Sequence, residues 1–220
     1  MVSINISPEI KNKIPASRLF CIGCDVHFKE SPAALWNLID EKCKQLRARL
    51  KMEDISQLPA ITASRRGYKA AGKDPARYRL SAEALLRRVV RGEELYRISN
   101  VVDLLNFVSI STGFSIGGYD VDKIRGKVIF GIGAPGEPYE GINRGVLNIE
   151  NLPVFRDDLG AFGSPTSDSL RSCVDENTTR FLMVIIDFGS GDNLIQAGEM
   201  AQKLLAEFAE GSNFEIQLIK

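Results

Sequence analysis

The sequence has 220 residues, 44% of them hydrophobic, and no long polar, Pro-rich or Ser-rich stretch divides it. These features predict one domain, residues 1–220, built around one core. Residues 1–13 lack the apolar run of a signal peptide, and no apolar stretch is long enough to cross a bilayer. We therefore expect a cytoplasmic protein with no membrane partner.

Charge is balanced overall, with 28 basic and 28 acidic side chains, but it is unevenly distributed. Residues 42–97 contain 15 Lys and Arg against 6 Asp and Glu, a net charge of +9, and the remainder carries −9. This asymmetry is typical of a protein with a polyanion partner on one face. The alternative is a basic segment that the acidic part of the chain neutralises in the fold.

Cysteine and histidine usage limits the possible chemistry. Cys21 and Cys24 have the spacing of a redox or zinc pair, but there is no second cysteine pair and His27 is the only histidine. A structural zinc needs four N or S ligands, so two strand cysteines are the favoured interpretation and we expect no metal site. One histidine also disfavours a Ser-His-Asp arrangement, which leaves carboxylates, backbone groups, a thiolate or the substrate for catalysis.

The first half of the chain predicts one strand followed by three helices. Residues 18–28 alternate loosely, as a core strand does, and Ser31 and Pro32 then begin a helix that continues to Met52. A second helix begins at Ser81 and ends before Gly92. Asn100 caps the third, which ends near residue 113.

After Tyr119 the pattern changes to short β-like runs at 127–132, 145–149 and 153–155. Residues 180–188 predict a strand covered on both faces, a helix capped by Asn193 follows, and 214–219 close the chain as a strand. Strands and helices do not alternate regularly, so we predict an α+β fold. The glycine-rich run at 131–136 cannot open a helix because Pro135, Pro138 and Gly141 follow or interrupt it, so no dinucleotide or other cofactor is expected.

Three segments are unusually polar. The first, residues 64–75, combines cations, glycines and an aromatic side chain, as RNA phosphate and base contacts require. The alternative interpretation of this segment is a solvated basic loop. The candidate RNA-binding residues are Arg65, Arg66, Tyr68, Lys69 and Lys73.

The second and third polar segments contain the candidate substrate-binding residues. In residues 100–120, Asp103 and Asn106 share a helix face ahead of a predicted turn at 113–119, and Asn106 either binds a substrate or caps a neighbouring element. Residues 156–173 predict a long binding loop. We expect one concavity to be lined by Asn106, Asp158, Ser164, Thr166 and Asp168.

These segments also contain a family resemblance. Residues 102–106 (VDLLN), 113–124 (GFSIGGYDVDKI) and 136–137 (GE) resemble V-D-x-x-N, G-x-P-x-H-x-F-D-x-D-K and G-E of the tRNA-editing domain in the phenylalanyl-tRNA synthetase beta subunit. Residues 66–79 and 157–171 resemble free-standing members of that group. The resemblance extends over about residues 18–188.

The resemblance implies a single three-layer domain with a sandwich-like mixed β-sheet core, flanking helices and an amino-acid pocket. In the synthetase this domain hydrolyses tyrosine wrongly attached to the phenylalanine tRNA. Asn106 matches the family's pocket asparagine, whereas Gly117 stands where the family has histidine, so a histidine-assisted pocket is absent. An acid of the third segment, such as Asp168, is a candidate for the family's substrate-recognising glutamate.

Two hypotheses follow from the resemblance. The first is a trans-editing deacylase that hydrolyses mischarged aminoacyl-tRNA, with tRNA and the amino-acid moiety as its ligands and with a substrate pocket lined by Asn106, Gly117 and the third segment. The second is a non-catalytic module that binds RNA or an amino acid with the same fold. A complete aminoacyl-tRNA ligase is excluded because no ATP-binding signature is present.

Overall fold

The computed structural model describes residues 2–142, 144–191 and 193–220, which form an α+β fold. Its helices are α1 (Pro8–Lys13), α2 (Ala33–Arg49), α3 (Pro59–Ala71), α4 (Ser81–Val90), α5 (Asn100–Thr112) and α6 (Leu194–Phe208). Its strands are β1 (Ile4–Ile6), β2 (Arg18–Asp25), β3 (Ser115–Asp120), β4 (Val128–Ile132), β5 (Glu140–Gly141), β6 (Gly145–Val146), β7 (Pro153–Asp157), β8 (Gly160–Gly163), β9 (Arg180–Asp187) and β10 (Ser212–Ile219).

The main strands form two four-stranded sheets. The first sheet has the order β1-β4-β7-β8, and the second has the order β10-β2-β9-β3. The β1 and β4 strands pair in parallel, while the other neighbours in both sheets are antiparallel. Strand β3 is thus an edge strand, and its backbone remains available on one side.

Three layers result from the way side chains alternate across the second sheet. Tyr119 of β3 packs edge-on against Phe155 and Phe162 of the first sheet. On the opposite face, a Cβ at Gly198 of α6 would overlap the ring of Phe20 in β2, so α6 lies directly on the sheet. Sheet, sheet and helices therefore stack in that order, and the predicted α+β sandwich-like fold is confirmed.

Most predicted elements are present because their apolar periodicity is strong. Helix α4 begins at the predicted Ser81. Helix α5 was predicted to have Asn100 as its cap, but the cap is Ser99, whose side chain accepts the Val102 N–H, and Asn100 is the first helical residue. Strand β9 is buried along almost its whole length, as a strand covered on both faces must be.

Two predictions of irregular structure were wrong. Residues 113–119 were predicted as a turn because of their glycines, but Gly117 and Gly118 lie in β3 and pair with Val184 and Met183 of β9. For the first polar segment, the alternative of a solvated basic loop is excluded, because most of the segment belongs to α3, which ends at Gly72 in the left-handed conformation. The third segment likewise contains β8 and its pairing with β7.

Cys21 and Cys24 lie on β2 three positions apart, and both are buried free thiols. Burial raises the pKa of each to about 12, which makes both thiols unreactive near neutral pH. Across the described ranges no group of three or more His, Cys, Asp or Glu side chains is placed to hold a metal ion. None of the described helices combines the length and apolarity that crossing a bilayer requires.

Candidate functional site

The candidate site is built around the segment Ser164–Ser169, here called the 164–169 loop, which directly follows β8. The Ser164 hydroxyl donates to the Ser167 carbonyl (2.8 Å) and accepts the N–H groups of Thr166 and Ser167. This side chain therefore satisfies three backbone groups of its own loop and fixes the turn. Ser164 therefore stabilises the conformation of the loop through bonds to the loop's own backbone.

Three tyrosine hydroxyls from different parts of the fold converge on this loop. Tyr68 of α3 lies 2.9 Å from the Thr166 hydroxyl, and Tyr139 donates to the Ser167 carbonyl at 2.6 Å. Tyr119 of β3 donates to the Asp168 carboxylate at 2.9 Å. Because all three rings are buried, they hold the loop against the core and keep its carboxylate in a fixed position.

Asp168 is the only charged side chain of the loop. Its Oδ1 accepts the Tyr119 hydroxyl, and its Oδ2 accepts the Gly118 N–H on the edge of β3 at 3.4 Å. No ion pair involving Asp168 occurs within the described residues. Burial raises its pKa to about 7, while the bonds from Tyr119, Gly118 and the Ser164 backbone oppose that rise. Asp168 can therefore take up and release a proton near neutral pH.

Position 117 is glycine for a steric reason. A Cβ at Gly117 or at Gly163 would overlap the Tyr119 hydroxyl, so the tyrosine fills the space between β3 and β8. Burial and the neighbouring Asp168 raise the pKa of Tyr119 well above its ordinary value, and it acts only as a neutral donor. The position at which the related motif has histidine thus accepts no side chain here.

Asn106 makes no hydrogen bond to the 164–169 loop among the described residues. It is half-buried on α5, and among the described residues its side chain has no hydrogen-bond partner. The preceding Leu105 packs where a Cβ of Gly118 would be, and the N–H of Gly118 bonds Asp168. Helix α5 and the 164–169 loop therefore meet at Gly118, and the structure does not separate them onto opposite sides of the domain.

Asp158 is placed elsewhere. It is exposed in the turn between β7 and β8, where its carboxylate lies against Gly126 and its N–H bonds the Arg125 carbonyl. Gly117, Ser164, Thr166 and Asp168 thus come together, whereas Asp158 has no bond to any of them.

A cleft of 430 Å³ opens beside the loop, between the β5–β6 hairpin and the β7–β8 turn. Tyr139, Ser169 and Arg171 contribute polar groups to it, and the exposed Val146 and Leu159 contribute apolar ones. Arg171 is held by Asp157, which it contacts through both guanidinium ends at 3.1 and 2.8 Å. The cleft is therefore large enough for a small ligand and has one positioned cation.

The candidate RNA-binding residues fall into two groups. Tyr68 and Lys73 are buried, and the Lys73 ammonium donates to the carbonyls of Asn148 (2.9 Å) and Glu150 (2.6 Å). Arg65 is paired with the buried Glu83. Arg66 and Lys69, by contrast, are exposed on α3. Only these two of the five candidates are free to contact RNA in this conformation.

Tyr119 and Tyr139 were not predicted from the sequence as candidate site residues. Tyr119 stands at the aromatic position of the resembled motif, and its alternation with Gly117 along β3 is a signal that could have placed it beside the pocket. Tyr139 lies outside any periodic element, and no feature of the sequence connects it with Ser167, 28 residues away.

Comparisons with known proteins give two similarities. A family model described as the B3/4 domain matches residues 63–209. The fold is similar, with a TM-score of 0.48 and 12% identity, to an N-terminal fragment of the phenylalanyl-tRNA synthetase beta subunit from Pyrococcus horikoshii. That comparison covers 98% of this chain and 50% of the fragment, so the chain spans about half of the fragment's length. A search of curated proteins gave no match.

Proposed function

The chain belongs to the B3/4 domain family, which is found in phenylalanyl-tRNA synthetase beta subunits, and on this premise we propose that it hydrolyses mischarged aminoacyl-tRNA in trans. In this proposal the amino acid enters beside the 164–169 loop, and water cleaves the ester that joins it to the tRNA. The proposal places the protein in the cytoplasm, where tRNAs are charged.

The observation that supports the proposal is the environment of Asp168. A carboxylate with a pKa of about 7 can act as a general base at neutral pH. Water would bond the ester carbonyl carbon while Asp168 takes the proton, and the ribose oxygen would recover a proton as its bond to carbon breaks. Aminoacyl esters are labile, so positioning together with one base is sufficient chemistry.

The proposed tRNA contacts on α3 are Arg66 and Lys69. Both side chains are exposed, and both belong to the segment of net charge +9. Arg66→Glu combined with Lys69→Glu should weaken tRNA binding and flatten its salt dependence, because each lost phosphate contact lowers the slope of log affinity against log salt by roughly 0.9. Arg65 and Lys73 are left unchanged in this test, since they bond buried groups. Lys203→Glu on α6 is the matched control.

A second function, binding of an aminoacyl group without hydrolysis, is favoured by one observation. Tyr119 fills the space at Gly117, and both oxygens of Asp168 already accept hydrogen bonds. In that case the carboxylate would pair with the α-ammonium group of the amino acid, which needs only a charge and no proton transfer. The tRNA contacts would remain as proposed.

Deacylation of a panel of mischarged tRNAs by the wild type and Asp168→Asn separates these functions. Cleavage above the buffer rate that falls about a hundredfold in Asp168→Asn supports the hydrolase. Cleavage by both proteins at equal rates would remove Asp168 from the proposal. If neither cleaves but the wild type retains aminoacyl-tRNA better than uncharged tRNA, the binding function is the correct one. Asp158→Asn is the control, because Asp158 is exposed and its carboxylate lies against Gly126.

A further inference from the structure

A second basic surface, separate from Arg66 and Lys69, runs along α4. It is a groove of 270 Å³ between this helix and the segment that follows it. Its charged and aromatic lining consists of Arg79, Arg87, Arg88, Arg91, Glu93 and Tyr96. Four arginines against one glutamate give the groove a net charge of +3. Such a surface attracts a polyanion.

The arginines differ in how strongly the protein already holds them. Arg87 is paired at 3.1 Å with Glu83, which is buried, so its position is fixed. Arg88 and Arg91 share Glu93, at 3.0 and 3.9 Å. Glu93 is 44% exposed, and exposed ion pairs contribute little, so a phosphate can replace its carboxylate at small cost. Arg79 has no ion pair or hydrogen bond within the part of the chain described.

Tyr96 provides an aromatic platform in the same groove. Its side chain is 66% exposed, and the guanidinium of Arg88 lies 4.2 Å from the ring centroid. The guanidinium covers one face of the ring and orients it through a cation–π contact. Exposed tyrosines combined with nearby arginines are the arrangement by which proteins stack unpaired bases and hold the adjoining phosphates.

The groove is also connected to the candidate site. The N–H of Ser81, the first residue of α4, donates to the Pro165 carbonyl in the 164–169 loop at 2.8 Å. Arg79 lies two residues before Ser81, and Arg91 follows the last turn of the helix. Because an α-helix rises about 1.5 Å per residue, Arg91 lies roughly 15 Å along the axis from Ser81. A few extended nucleotides can span this length.

We infer that the α4 groove binds unpaired nucleotides of an RNA, with one base stacked on Tyr96 and neighbouring phosphates held by Arg79 and Arg91. The inference rests on the proposed function for the identity of that RNA, namely the single-stranded end of an aminoacylated tRNA. The strand would then follow α4 toward the 164–169 loop, and the terminal, aminoacylated nucleotide would reach Asp168. The groove thus determines how the ester is delivered.

The test measures binding of a fluorescein-labelled, unstructured RNA of mixed sequence by fluorescence anisotropy. Tyr96→Ala should weaken binding about tenfold, since one stacked base contributes roughly 1–3 kcal/mol, and Tyr96→Phe should restore it. Arg79→Gln with Arg91→Gln should reduce the salt dependence, whereas Lys203→Gln should leave it unchanged. Glu93→Gln should tighten binding severalfold, because it removes the carboxylate that competes with phosphate.

Ile98→Ala is the matched control for the aromatic side chain, because Ile98 is similarly exposed, at 58%, in the same connecting segment. Equal RNA affinity of Tyr96→Ala and Ile98→Ala would overturn the inference. So would a polyglutamate competitor that displaces RNA equally from the wild type and from Tyr96→Ala, since the groove would then bind acidic peptides. RNA binding is measured without any amino acid, so a protein that hydrolyses no aminoacyl-tRNA can still confirm the groove. Conversely, if the groove variants bind RNA as the wild type does, the deacylation result is unaffected.

Discussion

The two ends of the third polar segment contain carboxylates in opposite surroundings. Asp157, at the end of β7, accepts both guanidinium ends of Arg171 and the N–H groups of Arg125 and Leu159. Although burial opposes ionisation, these bonds lower the pKa of Asp157 below its ordinary value. Asp168 has only uncharged donors, Tyr119 and the backbone of Gly118 and Ser164, and no cation pairs with it within the described residues, so burial raises its pKa to about 7.

This difference separates a carboxylate that stabilises the fold from one available for chemistry. A buried acid with a matched cation and several N–H donors remains ionised and cannot accept a proton near neutral pH. A buried acid without a cation titrates in the physiological range, at a cost in stability when it ionises. Sequence alone gives both residues the same interpretation, as acids of a polar loop.

The largest effect is expected for the stabilising carboxylate. Asp157→Ala should lower the free energy of unfolding by about 3–5 kcal/mol, because it leaves the partly buried Arg171 and two N–H groups without their acceptor. Urea unfolding measures this loss. Asp158→Ala, one residue on and exposed, should change stability by less than about 0.5 kcal/mol. Equal losses in the two variants would contradict the distinction.

The second effect concerns the pH dependence of stability. The folded state holds the Asp168 proton up to a pKa of about 7, whereas the ordinary pKa is 3.8. Between these pH values the folded state binds more protons, so stability falls as pH rises, by up to roughly 1.4 kcal/mol for each pH unit. The loss is complete above pH 7. Asp168→Asn should lack this slope in urea unfolding from pH 4 to 8, and parallel pH curves for the two proteins would refute the assignment.

A smaller effect should follow from the donor that faces Asp168. Tyr119→Phe removes a hydrogen bond that favours the ionised carboxylate, so the pKa of Asp168 should rise above about 7. The loss of this bond costs about 1 kcal/mol of stability. In the hydrolase proposal, the acidic limb of the rate profile then moves to higher pH. Tyr68→Phe is the control: it removes the bond to Thr166 and should not move that limb.

Some elements of the fold could be predicted from the sequence and others could not. Helices α4, α5 and α6 and strand β9 follow from apolar periodicity, because their burial is encoded residue by residue. Strand β3 was missed because its glycines are typical of turns. They are required instead by close neighbours in space, Tyr119 at Gly117 and Leu105 at Gly118. Such contacts depend on sheet pairing and not on local pattern.

The arrangement of residues at the candidate site could be predicted only in part, again because it depends on contacts between distant residues. The density of hydroxyls and acids in residues 156–173 indicated the loop, and Asp168, Ser164 and Thr166 do lie together there. Their roles were not predictable, since most of the hydroxyls bond the loop's own backbone or Tyr68. The accessible cations of α3 could not be distinguished from the buried Lys73 either, because its partners are carbonyls more than 70 residues away.

The smallest effect on stability is expected at Asn106, the candidate site residue whose side chain has no hydrogen-bond partner within the described residues. A half-buried amide without a hydrogen bond contributes no intramolecular bond to lose, so Asn106→Ala should change the free energy of unfolding by less than about 0.5 kcal/mol. If Asn106 binds the ligand, Asn106→Ala should nevertheless lower aminoacyl-tRNA affinity or hydrolysis about tenfold, which is the loss expected for one hydrogen bond. Asn100→Ala on the same helix is the contrasting variant, because its amide bonds four backbone groups and its loss should destabilise the fold. If Asn106→Ala leaves both stability and aminoacyl-tRNA binding unchanged, Asn106 contributes neither to the fold nor to ligand binding. The pocket then does not extend from Asp168 past Gly118 to α5.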